Sequence, residues 1–247
     1  MKKDINHKFL NSTALVVGGT RGIGKAVAIE LLNKGSNVVI TGSYIRKGWW
    51  DDFENCELKK LDFIDFENRD KYFSSLAKKN YKFIVNSAGI VLNKKFEKIK
   101  ETEIKEIMEV NFFGPMLLLK KLIINMGENN FGRIVNISSV SALLHRVGSS
   151  VYSISKSSLI TASRTLALEL ADKNILVNCV SPGYTDTEMI KTLSETEKLN
   201  LIKNVPISRL CTPKEVSNVV LFLLSPHNNF ITGQNIVIDG GLTLKQK

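Results

Sequence analysis

The sequence predicts an α/β fold: one doubly wound domain whose mostly parallel sheet of seven strands is flanked by helices. Short runs rich in Val and Ile alternate with stretches of helical periodicity long enough to cross back over a sheet. The first run opens onto a glycine-rich turn, Gly18-x-x-x-Gly22-x-Gly24, and then a helix. Gly18, Asn86, Ser139 and Pro182 all fall where such runs end, the edge at which sheets of this kind gather ligands.

TALVVGG, residues 13–19, is the first strand with its turn, and GKAVAIELLNK, 24–34, the helix that Gly35 stops. NVVITG, 37–42, is the second strand, and the less apolar CELKKLDF, 56–63, the third. Between them GSYIRKGWWDDFENC is short, so a loop or a single turn is expected there. DFENRDKYFSSLAKKN, 65–80, reads as a charged amphipathic helix and KFIVNSAG, 82–89, as the fourth strand. One long helical region, 101–126, leads to the fifth strand at 133–139. A helix over 153–171 precedes the sixth strand, 175–183. After a variable segment, PKEVSNVVLFLLS, 213–225, is helical and NIVIDGG, 235–241, supplies the seventh strand. The alternation has no common sequence repeat, which excludes a solenoid.

Length and composition bound the reading. The 247 residues can bury a large core, and no Gly/Ser-rich or charged linker divides them, so a single domain over 1–247 with short terminal extensions is expected. A hydrophobic share of 43% suits a soluble globule. The basic start reaches Asp4 and Asn6 before any long apolar segment, and no membrane-spanning run follows. Neither secretion nor membrane insertion is expected, and the location is cytoplasmic. Cys56, Cys179 and Cys211 are widely spaced and lack a histidine cluster, which indicates a reduced protein without structural zinc or any other metal. The formal charge of +10 comes from lysines interleaved with acids. It reads as a solvated basic surface with room for an acidic partner, and not as a nucleic-acid site.

The glycine turn permits close backbone approach, and a helix beginning near Ile23 would aim free amides at a pyrophosphate. Alone, loop glycines are turn formers; their place between strand and helix gives them meaning. Thr20 adds a hydroxyl. At the end of the second strand, where an acid would hold the ribose of NAD(H), stand Gly42 and Ser43. Arg21 and either Arg46 or Lys47 offer positive charge instead, which favours NADP(H) over NAD(H). Arg46 and Lys47 read equally well as exposed loop charges.

Tyr152 and Lys156 stand four residues apart on one helical face, with Ser139 thirteen residues upstream of Tyr152. A phenol's ordinary pKa, about 10, is too high for easy cycling near neutrality. An ammonium one turn away favours the phenolate, and a serine hydroxyl can orient a carbonyl and its developing charge. The set describes a dinucleotide-dependent oxidoreductase that moves its proton with tyrosine.

On these motifs the chain, over about residues 9–244, resembles the short-chain dehydrogenase/reductase family, with its Rossmann-like fold. The family's TGxxxGxG stands as VGGTRGIG, NNAG as NSAG, and YxxxK as Tyr152 to Lys156. The resemblance makes Asn111, Ser139, Tyr152 and Lys156 the catalytic residues, with Asn111 holding a water in a proton relay. It implies cofactor contacts from Gly18, Thr20, Arg21, Gly22, Ile23, Gly24, Ser43, Asp62, Phe63, Asn86, Ala88 and Gly89. Tyr152 and Lys156 also face the cofactor, as do Pro182, Gly183, Thr185 and Thr187 near the nicotinamide. Within the family the chain is most similar to 3-oxoacyl-[acyl-carrier-protein] reductases. That similarity implies NADPH-dependent reduction of a 3-oxoacyl thioester, borne on an acyl carrier protein, to the 3-hydroxyacyl thioester. It also implies a symmetric tetramer supported by VVLFLLS and NIVIDGG, and basic residues such as Lys173 near the substrate entrance that meet the acidic carrier. Asn130 interrupts that basic signature. An NAD(P)-dependent reductase or dehydrogenase of a free small carbonyl or alcohol, and a non-catalytic dinucleotide-sensing or scaffolding protein, are the alternatives.

Overall fold

The computed structural model describes residues 9–244; the basic start with Asp4 and Asn6 lies outside them. The strands are β1 (Thr13–Val17), β2 (Asn37–Gly42), β3 (Cys56–Lys60), β4 (Phe83–Asn86), β5 (Gly132–Ile137), β6 (Ile175–Pro182) and β7 (Asn235–Ile238). They form one sheet in the order β3-β2-β1-β4-β5-β6-β7, and every pairing is parallel. The helices are α1 (Gly22–Asn33), α2 (Arg69–Ala77), α3 (Glu101–Met108), α4 (Gly114–Glu128), α5 (Ser150–Glu169), α6 (Glu188–Lys191), α7 (Glu195–Lys203) and α8 (Pro213–Leu224).

Strand alternation divides the core into two layers. Ala14, Val16, Val38, Ile40, Val85, Val135 and Val180 face α1 and α8. Leu15, Val17, Val39, Ile84, Ile134 and Val177 face α2, α4 and α5. Both faces are covered, which is why these strands read as near-continuous apolar runs. Thr212 and Glu215 start α8 with a reciprocal cap, and Pro213 follows at the first helical position.

The long helical region breaks into three pieces. Between α3 and α4, Glu109–Phe113 forms a π turn. The segment between β2 and β3 contains a single 3-10 turn, Trp49–Asp52, with Trp50 buried in the core.

β1 lies between β2 and β4, so the direction of strand succession reverses there and leaves a crevice at the carboxyl ends. Gly18 and Ala88 meet at that point. A Cβ on Gly18 would come within 2.8 Å of Ala88 backbone atoms, and its φ of +75° also favours glycine.

Candidate active site

Ser139 lies two residues beyond β5 in extended conformation, and its hydroxyl accepts from the Ser141 amide at 3.1 Å. Tyr152 occupies the first turn of α5, and Lys156 the next turn on the same face. Ser138 fixes the helix to the strand by donating to the Lys156 carbonyl at 2.8 Å. Burial pushes the Tyr152 phenol up; hydrogen bonding with Ser139 and the charge of Arg146 act in the opposite direction.

Lys156 is 4% exposed, and its ammonium donates to the Ile137 carbonyl at 2.9 Å. Its Nζ lies 5.9 Å from the Tyr152 ring centroid. Desolvation lowers its pKa from 10.5 to about 8, opposed by Cys179. The ammonium is therefore committed to a carbonyl and not directly to the phenol.

Asn111 sits within the π turn and is fully buried. Its Oδ1 accepts from the Ile90 amide at 2.8 Å. Its Nδ2 donates to the Ile90 carbonyl at 2.9 Å and to Ser155 Oγ at 3.0 Å. A Cβ on Gly89 would stand 3.2 Å from Lys156 Nζ and 3.4 Å from Asn111 Oδ1. Two elements far apart in sequence thus bring these polar groups together beside Gly89.

A dinucleotide fits the crevice. The first amides of α1 have no side-chain cap, and Gly18 leaves a cradle that a side chain would fill. Gly24 packs directly on the Gly18 carbonyl. Gly22 lies beside Thr187, whose Cγ2 would be 3.4 Å from an added Cβ. Arg21 and Ser43 are exposed, and Thr20 touches the end of β2 at Gly42. Asp62 follows β3, its Oδ1 accepting from the Ile64 amide at 3.1 Å. Pro182 ends β6. Thr185 is buried and donates to the Gly183 carbonyl, while Thr187 donates to the Thr185 carbonyl.

Several expectations change. The Phe63 side chain is buried against Phe73 and Gly114, so only its main chain can face a cofactor, whereas Ile23 is part-buried at the edge of the core. Asn86 and Asn136 line a small cavity beneath α4. Both polar atoms of Asn86 and Oδ1 of Asn136 lack hydrogen-bond partners there. Lys173 lies immediately before β6, at the amino ends of the strands. α5 separates it from Tyr152 by about 30 Å at ~1.5 Å per residue, so it is not at the entrance of its own chain's site. The α8 residues Val220, Leu221, Leu223 and Leu224 are covered internally, and Phe222 faces outward.

The structure adds Arg146 and Tyr184. Arg146 Nη1 donates to the Tyr184 hydroxyl at 2.9 Å, joining the loop before α5 to the loop after β6. Ser138, Ser155 and the carbonyls of Ile90 and Ile137 also hold the site together. No sequence pattern distinguishes main-chain partners, but Tyr184 lies between Gly183 and Thr185, both expected near the nicotinamide.

A family model described as enoyl-(acyl carrier protein) reductase matches residues 17–243. A 3-oxoacyl-[acyl-carrier-protein] reductase of Aquifex aeolicus is 36% identical over 244 residues, covering 95% of this chain and 98% of the relative. Its counterpart in Chlamydia muridarum is 33% identical over 247 residues, covering 96% and 100%. Among solved structures, a short chain dehydrogenase/reductase family protein superposes with a TM-score of 0.87 at 29% identity, covering 96% of this chain and 100% of the other. ElxO with NADP bound gives 0.88 at 31% identity, with coverage of 96% and 100%.

Proposed function

This chain belongs to the short-chain dehydrogenase/reductase family, and from that premise we propose that it reduces a 3-oxoacyl thioester, carried on an acyl carrier protein, to the 3-hydroxyacyl thioester with NADPH. The observation that carries the reading is the convergence of Ser139, Tyr152, Lys156 and Asn111 at the carboxyl edge, beside the dinucleotide cradle. Their intact arrangement weighs against a sensor without turnover. The curated relatives bear the names of reductases of this type.

When bound, the reduced nicotinamide supplies a hydride to the carbonyl carbon. The Tyr152 hydroxyl donates the proton to the carbonyl oxygen. Ser139 offers a hydroxyl that orients the carbonyl and stabilises charge gathering on its oxygen. Buried Lys156 favours phenolate formation through its charge and returns protons from the side on which Asn111 is anchored. Gly18, Gly22 and the first amides of α1 would hold the pyrophosphate. Arg21, Ser43, Arg46 and Lys47 would favour NADPH, with no acid at Gly42 to repel a ribose phosphate. Asp62 and the main chains of Phe63, Ala88 and Gly89 would line the adenosine side, and Pro182 through Thr187 the nicotinamide side.

The reading includes a homotetramer and a cytoplasmic location. Ile154 and Leu168 on α5 are exposed, as are Leu117 and Ile124 on α4, leaving an apolar face that suits a second copy. A two-fold contact across α5 would pair one helix's beginning with the other's end, setting Lys173 of one copy toward its neighbour's cleft. Phe222 and Val237 offer a second face. Among the described residues no helix is long and apolar enough to cross a membrane.

A second reading, reduction of a free small carbonyl or oxidation of an alcohol, draws support from the distance between Lys173 and the site of its own chain. NADPH oxidation with acetoacetyl-carrier protein, its CoA analogue and free ketones separates the two. Preference for the carrier-bound substrate supports the first; turnover of ketones alone replaces it with the second.

A further inference from the structure

We propose that Trp49 is a positioning residue for the ribose phosphate of NADP(H), a role that rests on the NADPH reading above. β2 ends at Gly42, where a Cβ would come within 2.7 Å of Thr20 Cγ2. After the loop 43–48, the Trp49 indole Nε1 donates to the Thr20 carbonyl at 3.2 Å. The loop therefore leaves and returns to the same residue of the glycine turn.

The return point is well anchored. The Gly48 amide donates to Asp51 Oδ2 at 2.9 Å and starts the 3-10 turn. Trp49 packs edge-on against Trp50 and Phe53, and Lys25 Nζ lies 5.9 Å from the Trp49 ring centroid. Trp50 is 6% exposed, so the adjoining residue is fixed in the core.

The loop carries Arg46 and Lys47, both exposed, and Arg21 follows Thr20 directly. Among the described residues, none of these three cations has a carboxylate within ion-pair distance. A loop of this length pinned at both ends reaches no more than about 10 Å from its base. Its cations are thus confined around the turn that bears Arg21. Three confined cations repel one another, and a phosphate dianion would relieve the repulsion and accept their hydrogen bonds. The indole N–H, by closing the loop, sets where two of those cations stand.

The test uses the full chain and isothermal titration with NADPH and NADH, comparing the parent, W49F, R46A/K47A and the triple variant. Phenylalanine retains a six-membered aromatic ring against Trp50 and Phe53 but removes the N–H donor together with the pyrrole ring, so the comparison of the two cofactors and the R46A/K47A background separate lost loop closure from lost packing. W49F should weaken NADPH binding roughly three- to tenfold and leave NADH binding unchanged. In the R46A/K47A background it should cost nothing further, because its effect passes through those cations. An equal loss for both cofactors, no loss, or an undiminished loss in that background overturns the proposal. The exposed R46A/K47A variant provides a second check should W49F not fold: retention of the parent's full NADPH preference also overturns it. A parent without any NADPH preference instead sinks the NADPH reading, and this role with it.

Discussion

Replacing Lys156 by methionine should make the cofactor-free protein more stable at neutral pH while ending its turnover. The amine is buried, and its pKa falls from 10.5 to about 8 through desolvation. At ~1.4 kcal/mol per pH unit, charging it in the folded state costs about 3 kcal/mol more than in the unfolded chain. Its charged hydrogen bond to the Ile137 carbonyl returns about 2 kcal/mol that methionine lacks. The net gain expected for K156M is therefore about 1 kcal/mol near pH 7. The sign follows from linkage: below pH 8 both states hold the proton and the folded protein bears the whole penalty. Between 8 and 10.5 the unfolded chain holds a proton that the folded chain has released, so the parent's stability rises with pH. Above 10.5 the penalty is gone. Urea unfolding of both proteins at pH 7, 8, 9 and 10, at one protomer concentration, measures the gap between them. A gap favouring K156M that closes as pH rises supports the reasoning. A variant less stable than the parent at pH 7, or a gap indifferent to pH, refutes it.

Tyr152→Phe should lower turnover by at least about a hundredfold, with the thermal midpoint and NADPH affinity nearly unchanged, as measured by steady-state kinetics beside a melt. Asn111→Leu should destabilise the fold by roughly 2–5 kcal/mol in urea unfolding, since it strands the Ile90 amide and carbonyl and disturbs Ser155. If the substrate arrives on an acidic carrier, Lys173→Glu should raise its KM much more than that of a small thioester, and added salt should act in the same selective way. Equal effects on both substrates would remove Lys173 from carrier docking.

The strands were legible because apolar runs such as Leu15–Val16 and Val38–Ile40 must be buried on both faces. The Tyr152–Lys156 spacing was legible because a helix puts i and i+4 on one side. The π turn was not: the weak helix formers Val110, Asn111, Phe112 and Phe113 before Gly114-Pro115 mark a soft spot in the helix, but nothing in them specifies a wider turn. The bond from Lys156 to the Ile137 carbonyl was equally hidden, since every residue offers a carbonyl. Two placements had signals in the chain. Asn86 shares the parity of Ile84, which places it on the α4 side of the sheet. Lys173 lies beyond a 20-residue helix, long enough to carry it to the opposite end of the sheet. The shape of the segment between Gly42 and Cys56 depended on Trp49 finding the Thr20 carbonyl across the fold.

The π turn at Glu109–Phe113 has a consequence for the helical phase of everything after it. One extra residue in a turn offsets the helix by about 100°. α3 can therefore bury Ile107 while packing beside α5, whereas α4 directs Leu118, Leu122 and Met126 onto the sheet. Asn111 occupies the residue of slack between these two orientations. A deletion there would force a choice: keep the asparagine on Ile90 and rotate the apolar stripe of α4 off the sheet, or keep the stripe and swing the carboxamide away. Substitutions are graded in their effects at most positions of this chain, but a change of length at this turn has only those two endpoints, and each sacrifices either core or site.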